Sequence, residues 1–134
     1  MTHTHQIRVY YEDTDLAGIV YYANYLKFIE RGRSEWVRSL GLDQLALKEA
    51  GQGVFAVRRV HADYLAPARM DDLLDVTTTY VSHSGARLIL DQAVKRGAQT
   101  LFTAQVTLVC IGDTARPQPL PAALTRHLGE NRPK

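Results

Sequence analysis

Hydrophobic and polar positions follow three successive rhythms along the chain. From Ile7 to Glu12 they alternate, with Ile7, Val9 and Tyr11 on one side, which predicts a short strand. An abrupt polar turn, Asp13-Thr14-Asp15, comes next, followed by Ala17-Gly18. From Tyr25 the period lengthens. Tyr25, Phe28, Ile29, Gly32, Trp36, Val37 and Leu40 make one stripe of an amphipathic helix, opposite Lys27, Glu30, Arg31, Ser34, Glu35 and Arg38. Gly41 supplies the stop, and Tyr25 to Leu40 would run ~24 Å. Gly32 costs ~1 kcal/mol relative to Ala in a helix, so its place on the buried stripe points to close approach by another backbone. A second short helix is expected from Asp43 to Ala50, with Asp43 as its cap and Gly51 as its stop.

After Gly53 the alternation returns. Val54, Ala56, Val60, Ala62 and Tyr64 share a face interrupted by Arg58; Leu74, Val76, Thr78 and Tyr80 follow. Then come Ala86, Leu88, Leu90 and Val94, and finally Phe102, Ala104, Val106, Leu108 and Cys110. The separators Ala66-Pro67-Ala68-Arg69, His83-Ser84-Gly85 and Gly97-Ala98-Gln99 carry turn residues. Two of them are too short for parallel crossovers, so the last three strands should form an antiparallel meander. From Asp113 the chain reads as a Pro-interrupted linker with a short helix from Pro121 to Leu128. The architecture is α+β: a twisted antiparallel sheet of about five strands around one long helix. One helix cannot cover so large a sheet, so association through edges or faces is expected.

Composition narrows the function classes. A chain of 134 residues holds one domain, and 46% hydrophobic content argues against disorder. Sixteen Lys and Arg against fourteen Asp and Glu leave +2, too little for a general attraction to nucleic acid or anionic membrane. A single cysteine, Cys110, excludes an intrachain disulfide framework and a multi-cysteine zinc site, and reads as a small hydrophobe. No segment approaches ~18 consecutive apolar residues, and no leader pattern precedes Glu12, so the cytoplasm is the expected location. His3 and His5 fall in an N-terminus expected to be mobile, and His61, His83 and His127 are scattered without zinc-binding spacing. Glu12, Asp13 and Asp15 lack the calcium-loop pattern. No metal is expected.

Chemistry concentrates on the connection between the first strand and the long helix. Asp13 and Asp15 can serve as turn formers, their carboxylates bonding nearby N–H groups. The start of the helix offers more, because its first N–H groups are unpaired and the dipole is positive there. A carboxylate upstream of such an end suffices to attack an activated acyl group without Ser, His or Cys.

The segments Tyr11-Glu12-Asp13-Thr14-Asp15, Gly18-Ile19-Val20-Tyr21-Tyr22, Tyr25, Phe28, Glu30-Arg31 and Arg33 resemble the signature of the 4-hydroxybenzoyl-CoA thioesterase-like hotdog family. The YbgC branch, whose gene often neighbours those of the bacterial Tol–Pal envelope system, is the nearest. Asp63-Tyr64-Leu65-Ala66-Pro67-Ala68-Arg69 and Asp72 resemble the family's second block. The likeness spans about residues 5–112, leaving 113–134 as a tail of the single domain. It implies a hotdog fold, a homodimer or homotetramer, and hydrolysis of an acyl-CoA with no metal or redox cofactor. It makes Asp15 the nucleophile or general base and the backbone N–H of Tyr22 the group polarising the carbonyl. Asp13, Gly18, Val20 and Asn24 would border the substrate. Asp13 shapes the turn rather than reacting, and Asn24 is read as a helix cap or as a polar group facing the thioester. Many members of the branch carry His where this chain has Tyr22; a backbone donor is indifferent to that change.

Coenzyme A carries phosphates, which suits Arg87 and Ser84 beside the His83-Ser84-Gly85 turn, or a solvated hairpin end. Arg58 and Arg59 are weaker candidates because alternation sets them on opposite faces. Trp36, Tyr64 and Tyr80 read as packing residues. Two other functions compete with thioester hydrolysis. One is hydratase or dehydratase chemistry, disfavoured by the absence of His between His5 and His61. The other is a module that binds acyl carrier protein or envelope-biogenesis partners.

Overall fold

The computed structural model describes residues 2–128. Five strands form one antiparallel sheet: β1 (Thr2–Arg8), β2 (Val54–Tyr64), β3 (Leu73–Ser84), β4 (Arg87–Arg96) and β5 (Gln99–Ile111), in the spatial order β1-β3-β4-β5-β2. β3, β4 and β5 are the expected meander. The helices are α1 (Asn24–Ser39), α2 (Gln44–Glu49) and a single turn, α3 (Ala122–Thr125). α1 begins and ends one residue earlier than its apolar stripe suggests. It packs on the sheet through Phe28, Ile29, Trp36 and Val37, against Leu74, Val76, Leu88, Leu90 and Val106. Trp36 is core, as expected. Asp43 caps α2, its Oδ1 accepting from the N–H groups of Leu45 (3.0 Å) and Ala46 (3.3 Å).

The first strand is displaced from its expected place. It runs over Thr2–Arg8, and Tyr11–Asp13 forms a 3-10 turn instead. The Asp13 N–H donates to the Tyr10 carbonyl (3.0 Å), and the Tyr10 N–H donates to the Asp13 carboxylate (2.9 Å), so the chain curls where alternation would extend it. His3 and His5, expected to be mobile, are paired opposite Thr78 and Val76 of β3. Backbone pairing needs no apolar side chain, so the hydrophobic pattern misses these residues.

Gly32 marks a close approach, but to a side chain. A Cβ there would lie 2.6 Å from Cγ1 of Val76, so the helix settles onto β3 at this residue. Gln92 fastens the same region: its amide donates to the Ile29 carbonyl (2.9 Å) and to the Thr78 hydroxyl (2.8 Å), and its oxygen accepts from Arg33 (3.0 Å). Burial in this setting lowers the pKa of the Arg33 guanidinium.

β2 carries a bulge. Its register against β5 shifts between Val57 and Arg59 and leaves Arg58 as the extra residue. Phe55 and Val57 lie opposite Cys110 and Leu108, and after the bulge Val60, Ala62 and Tyr64 lie opposite Val106, Ala104 and Phe102. The facing expected for Val54 and Ala56 is therefore reversed. Arg58 does not interrupt an apolar face; it sits where the face changes phase. Arg58 and Arg59 also lose their expected opposition, since Arg59 pairs with Thr107 and Arg58 lines a cleft with Val109, which shares Thr107's face of β5.

The tail is not a linker over its described part. Leu120, Leu124 and Leu128 join the core, and the N–H groups of Gln118 and Leu120 donate to the carbonyls of Cys110 (2.9 Å) and Gly85 (3.1 Å). The packed unit thus reaches Leu128 rather than 112, although α3 is shorter than the Pro121–Leu128 helix expected.

Candidate active site

The Asp13–Asp15 segment folds back on Ile19–Tyr21 as a tight hairpin. The Asp15 N–H donates to the Ile19 carbonyl (2.9 Å), the Gly18 N–H to the Asp15 carbonyl (3.0 Å), and Thr14 bridges Val20. The loop is Leu16-Ala17-Gly18, with Gly18 at φ +79°, the left-handed conformation that three-residue hairpins require at this place. Oδ1 of Asp15 accepts from the Ala17 N–H (2.9 Å), an Asx turn, while Oδ2 has no partner among the described residues. The carboxylate is exposed.

Asp13 is turned the other way. Its side chain is buried and accepts from the Tyr10 N–H and, at 2.9 Å, from Nδ2 of Asn24, while its carbonyl accepts from the Tyr21 N–H (2.9 Å). Asn24 is therefore not the cap, and its side chain is turned towards Asp13. Ala23 holds the cap position with no side-chain bond, and the Asn24 amide is spent on Asp13. With no cap, the helix start keeps free donors: the Tyr22 N–H has no acceptor among the described residues.

A second loop braces the hairpin. The Val20 N–H donates to the Ala68 carbonyl (2.8 Å), Ile19 bridges Arg69, and the Ala68 N–H donates to the Tyr25 hydroxyl (3.1 Å). Arg96 ties this loop to the end of β4, donating to Asp72 (2.7 Å) and to the Pro67 carbonyl (3.3 Å). Partial burial would raise the pKa of Asp72. The Arg69 N–H and the Arg96 guanidinium outweigh it and hold the carboxyl below its ordinary value.

Between the hairpin and this loop lies an apolar cleft of about 340 Å³, walled by Ile19, Val20, Tyr22, Tyr64, Leu65 and Pro67. Its floor is aromatic. Tyr25 stacks on Phe102 with centroids 5.0 Å apart, and Tyr64 meets both edge-on and donates from its hydroxyl to the Tyr22 carbonyl (3.1 Å). Burial raises the pKa of both Tyr25 and Tyr64, which keeps the phenols neutral.

The fold thus brings Gly18, Val20 and Tyr22 to one end of the sheet around the Asp15 hairpin. Asp15 stands at the hairpin tip, outside the lining of the apolar cleft. Arg58, Ser84 and Arg87 gather elsewhere, in a separate cleft of about 330 Å³. Arg87 opens β4 and Arg96 closes it, a strand of 10 residues, so this second cleft lies ~30 Å from the bracing loop. Sequence reasoning missed two contributors. Tyr64 is a cleft wall and hydrogen-bond donor as well as a packing residue, and its place at the end of β2 beside the Leu65-Ala66-Pro67 turn was the available signal. Arg96 stands in no recognisable pattern, because its partners are a carbonyl and a carboxylate distant in sequence.

A helix wrapped by a five-stranded sheet, with an acidic hairpin at the helix start, defines a hotdog-type enzyme domain. Residues 9–128 match the model of the Thioesterase-like superfamily. The acyl-CoA thioester hydrolase YbgC of Escherichia coli O6:H1 is 40% identical over 120 residues, covering 88% of this chain and 89% of that protein. A probable thioesterase from Bartonella henselae superimposes with a TM-score of 0.87 at 38% identity, over 90% of this chain and all of that one. A 1,4-dihydroxy-2-naphthoyl-CoA thioesterase from Synechocystis gives 0.86 at 30% identity, over 93% of each chain. The chain belongs to the thioesterase-like hotdog family, whose members with YbgC names align with it over most of its length.

Proposed function

We propose that the protein hydrolyses an acyl-CoA thioester to the free acid and CoA. The observation that carries this reading is the coexistence, within residues 15–22, of an exposed carboxylate and a helix-start N–H with no acceptor among the described residues. The names and coverage of the relatives support the same activity. In the proposed reaction the thioester carbonyl accepts a hydrogen bond from the Tyr22 N–H as negative charge develops on its oxygen. A donor of this kind is worth about 2.7–4 kcal/mol of barrier.

Asp15 then acts in one of two ways. As a base it takes a proton from a water whose oxygen bonds to the carbonyl carbon; as a nucleophile its own oxygen forms that bond. Either way the C–S bond breaks and CoA leaves as its thiolate, and in the covalent route water then cleaves the anhydride. These steps use a carboxylate, a backbone donor and water, and call on no metal or redox cofactor. Acyl label retained on the protein in a single turnover marks the covalent route.

The reading includes a homo-oligomer. β2 is an edge of the sheet and exposes Val57, Val60 and Tyr64 beside its unpaired backbone groups, a surface that a second copy can extend antiparallel. Light scattering measures the assembly. The decisive experiment on the chemistry is Asp15→Asn, assayed against a panel of acyl-CoA thioesters. A properly folded variant that hydrolyses them at the wild-type rate overturns the reading.

A further inference from the structure

We infer that Tyr64 is a positioning residue for the reaction: its hydroxyl holds the Tyr22 carbonyl and so fixes the direction of the Tyr22 N–H that would meet the thioester oxygen. The backbone of Tyr22 stands outside the bonding of the helix it leads into. Its N–H has no acceptor among the described residues. No backbone donor among them reaches its carbonyl either, because the Leu26 N–H, four residues on, donates to the Ala23 carbonyl instead (3.1 Å). The donor this carbonyl does have is the Tyr64 hydroxyl, 42 residues away in sequence and 3.1 Å away in space.

Residue 22 is thus held from both sides. The peptide that bears its N–H is planar, with C=O and N–H pointing in opposite directions. The carbonyl of that peptide belongs to Tyr21 and accepts from the Asn24 N–H (2.8 Å), which turns the Tyr22 N–H away from the first turn of α1. The plane can still rock about the axis joining the Cα atoms of Tyr21 and Tyr22. Tyr64 pins the far end of that axis twice, through the carbonyl and through its ring, which meets the Tyr22 ring edge-on with centroids 6.2 Å apart. Tyr64 is itself fixed at the end of β2, edge-on against Tyr25 (5.6 Å) and Phe102 (5.0 Å). Burial raises the pKa of its phenol, which therefore stays protonated and able to donate. A phenylalanine ring would pack equally well there, so packing accounts for the ring and leaves the hydroxyl to the carbonyl. The aim of a preorganised donor matters because misplacement by about 1 Å can cost ~10²-fold in rate.

The use made of the Tyr22 N–H rests on the thioesterase reading; the tether that holds it does not. Tyr64→Phe keeps the ring and removes the hydroxyl. Its kcat for an acyl-CoA should fall about tenfold or more, part of the loss that follows outright removal of an oxyanion donor. KM should stay within about twofold, because the lost interaction acts in the transition state. Replacing Tyr64 by 4-aminophenylalanine returns an N–H donor to the same place and should restore most of the lost kcat. An unchanged kcat in Tyr64→Phe, a loss confined to KM, or no recovery with the amine overturns the inference. So does a Tyr64→Phe chain that fails to fold, since the hydroxyl then serves the fold. Nitrogen-15 relaxation of tyrosine-labelled protein reads the tether without turnover. The order parameter of the Tyr22 N–H should drop in Tyr64→Phe and recover with the amine; no drop overturns the inference whatever the rates show. If the wild-type protein hydrolyses no acyl-CoA while the order parameter responds as described, the thioesterase reading fails and the tether on the Tyr22 backbone stands.

Discussion

Nδ2 of Asn24 donates to Oδ1 of Asp13 across 2.9 Å, with both side chains buried. This bond joins the turn that precedes the hairpin to the first residue of α1, adding a buried side-chain tie to the backbone bonds between the arm bearing Asp15 and the chain that leads into the helix. Removing Asp13 strands the buried Asn24 amide, and removing Asn24 strands Oδ1 of Asp13 while Oδ2 keeps the Tyr10 N–H, at a cost of about 1–3 kcal/mol. Asp13→Ala should also free the Tyr10 N–H and be the more damaging of the two. Denaturant melts of Asp13→Ala, Asn24→Ala and the double variant should return a coupling energy of about 1 kcal/mol or more. Additive losses would show that the two side chains act independently.

Gly32→Ala tests the seating of the helix on β3. The added methyl meets Val76 Cγ1 at 2.6 Å, and overpacking of this kind costs about 1–3 kcal/mol. Combining it with Val76→Ala removes the obstructing methyls, so the double variant should be less destabilised than the sum of the two single changes. Urea midpoints for the set check this.

Gly18→Ala isolates backbone conformation from space. Nothing lies within 4 Å of the added Cβ, yet φ is +79°, and holding an L-residue in the left-handed region costs roughly 1–2 kcal/mol. The expected outcome is a modest fall in melting temperature with a larger fall in thioester turnover, because the loop that relaxes is the one presenting Asp15. Turnover equal to wild type would detach the hairpin from catalysis.

Asp72 ties acid stability to the bracing loop. Its folded-state pKa lies below the ordinary 3.8, so its contribution is fully present above that value and is lost as pH falls through the folded pKa. Asp72→Asn should lower stability by about 1 kcal/mol near neutrality, the scale of a partly exposed ion pair. The gap between wild type and variant should close as pH falls through the lowered folded-state pKa, where Asp72 takes up its proton. Melting temperatures across pH 2–7 measure it, and a gap independent of pH would rule out the charge as its origin.

For Asp15→Asn, the Ala17 N–H keeps an acceptor in the amide oxygen, so the melting temperature should hold. The rate should fall by about 10²–10⁴-fold, the range for loss of a positioned base.

Local order explains what was legible from the chain alone. The periods of α1 and of β3 to β5, the Asp43 cap, the glycine under the helix and the acidic turn all arise from neighbours within a few residues, where period and turn chemistry act directly. Tertiary structure decided the rest. β1 was recognised only by its partner, because β3 supplies hydrogen bonds irrespective of whether His3 or His5 is apolar. The β2 bulge reversed the faces of that strand, since one extra residue flips every side chain before it while leaving composition untouched. Which carboxylate turns inward, which arginine clamps Pro67 and Asp72, and which three residues share the second cleft depend on strands brought side by side from distant parts of the chain. Such contacts have no period, and only the closed sheet sets their distances.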